Sequence, residues 1–381
     1  MIFQTPEPGD AEMAVLAEIN DLREKLRFQL HEPRRWVGSL RRLSLARAIQ
    51  GSNTIEGYTA ELDDAVAVAA GEEPVNTDTE TRLALNGYRD AMTYVLQVSS
   101  DPDFEYSEQL IKSLHFMMIN YDLRKSPGLY RPGAVFVYSS DSGDVVYEGA
   151  PVDSVPALVR EMVDALNTDH DIPGMIRGAM SHLNLVMIHP FRDGNGRMAR
   201  ALQSLVLARE GFLSPVFVSI EEYLGRNTQA YYDILADVGQ GSWNPENDAR
   251  PWIRFSLTAH LRQARTMLRR VRESERLWTE LEKIADQEKL ADRVIAVMFD
   301  AAIGLRVRNN TYRAAIADLE EISDATASRD LGKLVDAGVL ESQGEKRGRY
   351  YTRSPRLAAV WQAIVESRDP KDDRDPFADT T

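Results

Sequence analysis

The chain has 381 residues and a formal net charge of −14, which argues against nucleic-acid binding by the molecule as a whole. A hydrophobic content of 43% is ordinary for a globular protein of two to three domains, and no stretch approaches the roughly 20 apolar residues of a membrane helix. The absence of cysteine excludes disulfides and thiolate chemistry. Met1 to Asp10 carries neither the basic nor the apolar segment of a secretory leader, so a cytoplasmic location is expected.

In chain order, residues 11 to 50 read as helix, with Met13, Leu16, Ile19, Leu22 and Leu26 at three- and four-residue spacing. Gly51-Ser52-Asn53-Thr54-Ile55-Glu56-Gly57-Tyr58 follows, by composition a polar turn between helices. Helices are expected over Glu61 to Ala70, Thr79 to Val98 and Phe104 to Ile119, the last begun by Ser107 as N-cap. After a turn-rich stretch from Ser126 to Gly133, Val135 to Tyr138 and Val145 to Tyr147 predict a β-hairpin around an acidic turn, Ser139 to Asp144. Pro156 to Asn167 is helical, and Pro173 opens an apolar run that reaches His189.

Pro190 disfavours helix at His189, and Gly194-Asn195-Gly196 permits backbone angles that let successive N–H groups converge. A second apolar run from Met198 to Ala208 ends at Gly211. A glycine turn opening a helix is an anion site, and Arg197 and Arg200 stand in the first helical turn, where the dipole disfavours cations unless an anion is present. Asp193 is a hard oxygen ligand suited to a Mg²⁺ shared with phosphates. His189 titrates in the range suited to taking a proton from a hydroxyl.

This stretch, His189-Pro190-Phe191-Arg192-Asp193-Gly194-Asn195-Gly196-Arg197-Met198-Ala199-Arg200, resembles the signature of the Fic family, His-x-Phe-x-Asp/Glu-Gly-Asn-Gly-Arg-x-x-Arg, and meets every fixed position. The resemblance implies transfer of AMP from ATP to a Ser, Thr or Tyr hydroxyl of a protein. His189 is then the base, Phe191 a core anchor for the loop and Asp193 the Mg²⁺ ligand. Gly194, Asn195 and Gly196 hold phosphates, and Arg197 and Arg200 clamp them. Both glycines are kept, where the phosphorylating relatives replace them. Ser52, Glu56 and Gly57 match the inhibitory motif Ser/Thr-x-x-x-Glu-Gly/Asn, placed N-terminal to the core. By the same likeness the hairpin, residues 135–147, is a flap that docks the target by strand addition, and Tyr231-Tyr232 lines the adenine pocket.

Beyond the core, Ile220 to Leu235 is expected as one helix, and Trp252 to Lys289 as a long, charged, solvated connecting helix. Residues 290–356 carry three helical segments and two short strands. They resemble a winged-helix domain whose recognition helix is Ala325 to Val335. Arg329, Lys333, Lys346, Arg347 and Arg349 are its candidate DNA contacts, opposed by Asp324, Asp330 and Asp336. The segment's balance of about +1 disfavours DNA and favours protein contact or dimerisation. The tail from Pro370 is acidic and expected to be disordered.

The expectation is thus a mainly α protein: an N-terminal helical region (1–100), a Fic core (101–252), a connecting helix (253–289), a winged helix (290–356) and a tail (357–381). It is read as an ATP- and Mg²⁺-dependent protein adenylyltransferase restrained by Glu56; self-modification and homodimer formation stay open, and no membrane partner is expected. The rival readings are a relative using another nucleotide donor or removing AMP, and a transcriptional regulator that uses the pocket as a sensor.

Overall fold

The computed structural model describes residues 1–31, 35–138, 143–211, 219–317, 319–345, 348–370 and 372–378. The chain is mainly α, with two small antiparallel sheets among the described residues. Residues 139–142 of the expected hairpin turn, and Lys346 and Arg347, lie outside those residues.

Helices α1 (Asp10–His31) and α2 (Val37–Ile55) open the chain. Helix α2 continues through the stretch that composition marks as a turn, and stops at Glu56, followed by Gly57 at φ +87°. Tertiary packing overrides the local signal. Ser52 and Asn53 are fully buried, and Gly51 lies directly on the backbone of Glu221 and Gly225, where any Cβ would collide. Helices α3 (Leu62–Ala69), α4 (Thr79–Val98) and α5 (Glu108–Ile119) follow. Asp78 caps α4 through Thr81 N at 2.8 Å, and Ser107 caps α5 through Leu110 N at 3.1 Å.

Strands β1 (Phe136–Tyr138) and β2 (Val145–Glu148) pair antiparallel, and lead into α6 (Val155–Thr168). Helices α7 (Gly174–Ile188) and α8 (Asn195–Arg209) form a central pair, nearly every residue of which is buried. Both lack an exposed face because the molecule surrounds them. One apolar cluster packs α4, α5, α6 and α8 together; another joins α1 and α7 to the segments that follow the core.

The single helix expected over 220–235 is two, α9 (Glu221–Arg226) and α10 (Thr228–Gly239), separated at Asn227 with φ −127° and ψ +40°. Helix α11 (Arg250–Gln287) is not a solvated connector. Trp252, Ile253, Leu257 and Leu261 sit in one apolar cluster, and Met267, Val271, Leu277 and Leu281 in the next, so its charges crowd onto the outer face. Next come α12 (Ile295–Ala302), α13 (Asn309–Ile316), α14 (Asp324–Asp336) and an antiparallel pair, β3 (Leu340–Gln343) with β4 (Tyr350–Arg353). This unit shares a core with Leu26, Trp36 and Leu40 of the N-terminal region. Arg42 of α2 donates to Asp300 Oδ2 at 3.2 Å and to Ala315 O at 3.0 Å.

Two further expectations fail. A helix, α15 (Pro355–Glu366), stands where a tail is expected, buried through Leu357 and Ile364. The acidic segment after it is not wholly free of the fold. Phe377 is buried, beneath the guanidinium of Arg254 at 5.2 Å from its ring centroid. One aromatic side chain gives the segment an anchor that its charge alone does not suggest.

Candidate active site

Helix α7 ends at His189, which adopts the left-handed conformation (φ +52°, ψ +58°) rather than the extended one favoured before proline. Arg131 holds it there, donating from Nε to His189 O at 2.7 Å while its own N–H bonds Pro190 O at 3.0 Å. His189 Nδ1 lies 3.1 Å from the carbonyl of Val186. A carbonyl only accepts, so Nδ1 carries the proton and Nε2 keeps its lone pair. Burial pushes the imidazole below its usual range, so the ring is a neutral base at pH 7.

From Pro190 the loop is held by side chains that point back into it. Phe191 is fully buried and stacks on His115, with ring centroids 3.8 Å apart and planes within 6°. His115 also bridges two segments, donating from Nε2 to Asp193 O at 3.0 Å and accepting from Gly128 N at Nδ1 at 2.9 Å. Burial lowers its pKa to about 4, which fixes the neutral tautomer that this bridge needs. The side chain of Asn195 is committed to the loop: its Oδ1 accepts from Phe191 N and its Nδ2 donates to Phe191 O, each at 2.9 Å, while its backbone N–H stays at the helix end. Its amide holds the turn closed, a correction to the role that the motif implies.

Gly194 (φ +77°) caps α8, whose first internal bond runs from Met198 N to Gly194 O at 2.9 Å. The N–H groups of Asn195, Gly196 and Arg197 therefore have no acceptor within the helix, and point out of its end. Asp193 lies beside them, accepting from Gly194 N at 2.6 Å and from Lys125 Nζ at 2.7 Å. Burial alone would raise its pKa, but Lys125 and Arg197 hold the carboxyl below its usual range. An ionised, partly exposed carboxylate next to an anion-binding helix end fits Mg²⁺, which takes one or two protein carboxylates and completes its shell with phosphate and water. No cluster of three or more metal-ligating side chains occurs among the described residues.

Arg197 and Arg200 of α8 are both buried. Arg197 Nε and Nη2 and Arg200 Nη1 are buried without a hydrogen-bond partner, an arrangement suited to a further anion. Arg200 is otherwise occupied by α2. Its Nε donates to Ser52 Oγ at 2.8 Å, and its Nη2 to Ser52 O at 2.9 Å and Glu56 Oε1 at 2.7 Å. Burial would depress this guanidinium, but the Glu56 carboxylate keeps it protonated. Glu56 lies over the helix end itself: a Cβ on Gly196 would collide with Glu56 Oε1 and sit 3.0 Å from Arg200 Nη1. A carboxylate thus occupies the mouth of the anion site, brought there by a helix 140 residues earlier in the chain.

Tyr231 and Tyr232 diverge. Tyr231 is buried, its hydroxyl 2.9 Å from Nε2 of His182, whose Nδ1 lies 2.7 Å from Gln203 Oε1. It is a core residue, which corrects its expected place in the adenine pocket. Tyr232 is 44% exposed and donates to Ile55 O at 2.8 Å, beside Glu56. The hairpin presents Phe136, Tyr138, Val145 and Val146 to solvent.

His115, Arg131 and Lys125 were not anticipated as site residues. His115 carried a signal, since it interrupts an apolar helical face of Ile111, Leu114 and Met118 and must find polar partners when buried. Arg131 and Lys125 lie in a turn-rich segment with no such periodicity.

Comparison with known proteins places the likeness on the same loop, helix end and arginine pair. Residues 105–207 match the model of the Fic/DOC family. A protein adenylyltransferase Fic from Nematostella vectensis is 29% identical over 267 residues, covering 66% of this chain and 55% of that protein. The adenylyltransferase fic-1 from Caenorhabditis briggsae is 38% identical over 117 residues, 29% of this chain and 20% of that one. The chain spans about half the length, or less, of these curated relatives. Among solved structures, a Fic family protein from Desulfovibrio desulfuricans G20 superposes with a TM-score of 0.58 at 22% identity, over 92% of this chain and 98% of that one, a likeness of fold.

Proposed function

We propose that the protein is a protein adenylyltransferase, joining AMP from ATP to a Ser, Thr or Tyr hydroxyl of a protein target. The observation that carries this reading is one neutral histidine with a free Nε2 beside a helix end whose backbone donors and arginines still lack acceptors. The target hydroxyl gives its proton to His189 Nε2 and forms a bond to the α-phosphorus of ATP; the α-phosphorus–oxygen bond to pyrophosphate breaks, and pyrophosphate leaves. Asp193 holds Mg²⁺, which neutralises phosphate charge when bound. Gly194 and Gly196 let the phosphates approach the α8 backbone, and Arg197 and Arg200 supply the remaining donors. Tyr232 lines the adenine side, and the apolar hairpin receives an extended target segment, of this chain or another.

In this reading Ser52, Glu56 and Gly57 form a brake. Ser52 fixes Arg200, while Glu56 takes the place of a phosphate at the α8 terminus, so ATP binds in a pose poorly aligned for attack. The C-terminal unit, 290–366 once α15 is counted, is a winged helix for protein contact. Arg329 and Lys333 are exposed on α14, but Asp330 is buried against Arg293 Nε at 2.7 Å and Tyr312 Oη at 3.0 Å, so only Asp324 and Asp336 oppose them. No helix among the described residues is long and apolar enough to cross a membrane, and a cytoplasmic setting supplies both ATP and target. The test is incubation with ATP labelled at the α- or the γ-phosphate. Transfer of α-label alone is the expected result; transfer of γ-label means phosphorylation, and no transfer of either means a sensor.

A further inference from the structure

The outer face of α11 carries a second cationic site, remote from the motif. Arg262, Arg265, Arg269, Arg272 and Arg276 follow one another at three- and four-residue steps, which puts them on one helical stripe roughly 21 Å long. The stripe lines a groove of about 750 Å³, to which Arg226 and Arg368 also contribute. Seven arginines against five carboxylates line this groove, in a chain whose overall charge is −14.

The groove's inner carboxylates are already committed. Glu222 is gripped by both Nη atoms of Arg270 at 2.6 Å, and Glu273 by Arg368 at 2.7 and 2.9 Å. The stripe itself is left short of acceptors. Arg262 Nε and Arg269 Nε are buried with no hydrogen-bond partner, and Arg269 has only a 3.5 Å ion pair to Glu273. Arg276 meets a neutral hydroxyl, Ser367 Oγ at 2.8 Å, and Arg272 has no polar partner among the described residues. At the other end the chain's own acidic segment is seated: Asp372 accepts from Arg265 at 3.0 Å, and the carbonyl of Asp373 from Arg262 at 2.8 Å.

We propose that this groove is a docking site for an extended acidic segment of a partner protein, with the segment around Asp372 as its built-in competitor. Carboxylates on alternate residues of an extended chain recur at about 7 Å, and arginines along the stripe at about 5 Å, a difference that long side chains absorb. The planar guanidinium suits carboxylates in pairs, as Glu222 and Glu273 already demonstrate within the groove. The protein's large negative charge opposes a dense polyanion such as nucleic acid, while a short acidic peptide on a local cationic stripe is tolerated.

The test is fluorescence anisotropy with the full chain and a labelled twelve-residue Asp/Glu peptide, with its Asn/Gln counterpart and inorganic tripolyphosphate as comparisons. The acidic peptide is expected to bind and the neutral one not, with affinity falling as salt rises. Arg269→Gln with Arg272→Gln is expected to weaken binding at least about tenfold without shifting the melting temperature, because neither side chain makes more than one weak contact. Asp372→Asn is expected to strengthen it severalfold by releasing the competitor. Absence of peptide binding in the Asp372→Asn protein overturns the proposal, as does binding indifferent to the paired arginine change. Arginine-dependent binding of tripolyphosphate but not of peptide overturns it in favour of a phosphate site.

Discussion

The loop from Pro190 to Gly194 and the C-terminal turn of α2 meet at the mouth of one anion site, yet they are held in different ways. The loop is over-determined by several side chains at once. Asn195 closes it with two bonds to Phe191, His115 ties Asp193 to Gly128, and Arg131 fastens His189 and Pro190. Glu56 hangs at a helix end, its side chain one-fifth exposed, followed by a left-handed glycine and retained by one ion pair at 2.7 Å. The first arrangement holds His189 and the helix terminus in register at several points. The second can be withdrawn by turning one side chain, while Ser52 stays buried on Arg200. The loop is held at many points and the Glu56 carboxylate at one, the difference that the proposed brake requires.

Substitutions at each side should separate the two. The largest effect is expected on the loop side at its base. His189→Ala should lower AMP transfer by about 100- to 10,000-fold while nucleotide affinity, read by calorimetry, stays close to that of the unmodified protein. Because burial lowers the His189 pKa, the acid limb of the wild-type rate profile should fall below the ordinary value of 6.5; a limb above it would contradict a buried neutral base.

Asn195→Ala comes next. It frees both main-chain atoms of Phe191, and a shift of about 1 Å in the loop costs roughly 100-fold in turnover. The loss should fall on kcat, with KM for ATP nearly constant. A rise in KM with kcat preserved would instead mean that the amide binds phosphate and that the loop is held by other groups.

On the opposite side, Glu56→Gly should raise the initial rate at least about tenfold at saturating ATP and Mg²⁺, by analogy with the same 1 Å argument run in reverse. Combined with Arg200→Ala it should bring no gain, since the arginine that holds Glu56 is, in the proposed reading, the one that would hold the phosphate. Equal rates for the single variant and the wild type would reduce residues 52–57 to a helix end.

A pH measurement also distinguishes the two regions. Burial depresses the pKa of His115 to about 4 and of His182 to about 3, so the unfolded chain binds more protons than the folded one between pH 6.5 and those values. The stability they confer is present above pH 6.5 and is lost as pH falls toward 4, on the order of 3 kcal/mol for each histidine. Thermal melts should show this decline in wild type and in Glu56→Gly alike, and a shallower one in His115→Gln. A slope altered by Glu56→Gly would tie the brake to the stability of the loop.

Much of this site could be read in the sequence because its chemistry is local. Within twelve residues the proline, glycines and charged side chains specify a helix end, a tight turn and a second helix start, and His189, Asp193 and Arg197 fall where that spacing predicts. Periodicity likewise reveals α4 and α5, since each buries a single face. Where packing decides, the local signal fails. Ser52 and Asn53 look like turn residues, yet they lie in a helix because Arg200 engages Ser52, the Asn53 amide donates back to Ile49 O, and α9 packs against Gly51 beside them. Asn195 looks like a phosphate ligand until the path of the loop brings Phe191 against its amide. Helix α11 looks solvated because its charges are counted without regard to face, and only the tertiary structure assigns the apolar stripe to two cores and gathers the arginines on the outside. The sequence by itself determined the groups at the helix end and their order; which of them are free to act, and that a carboxylate from α2 stands among them, depends on long-range packing that no local pattern encodes.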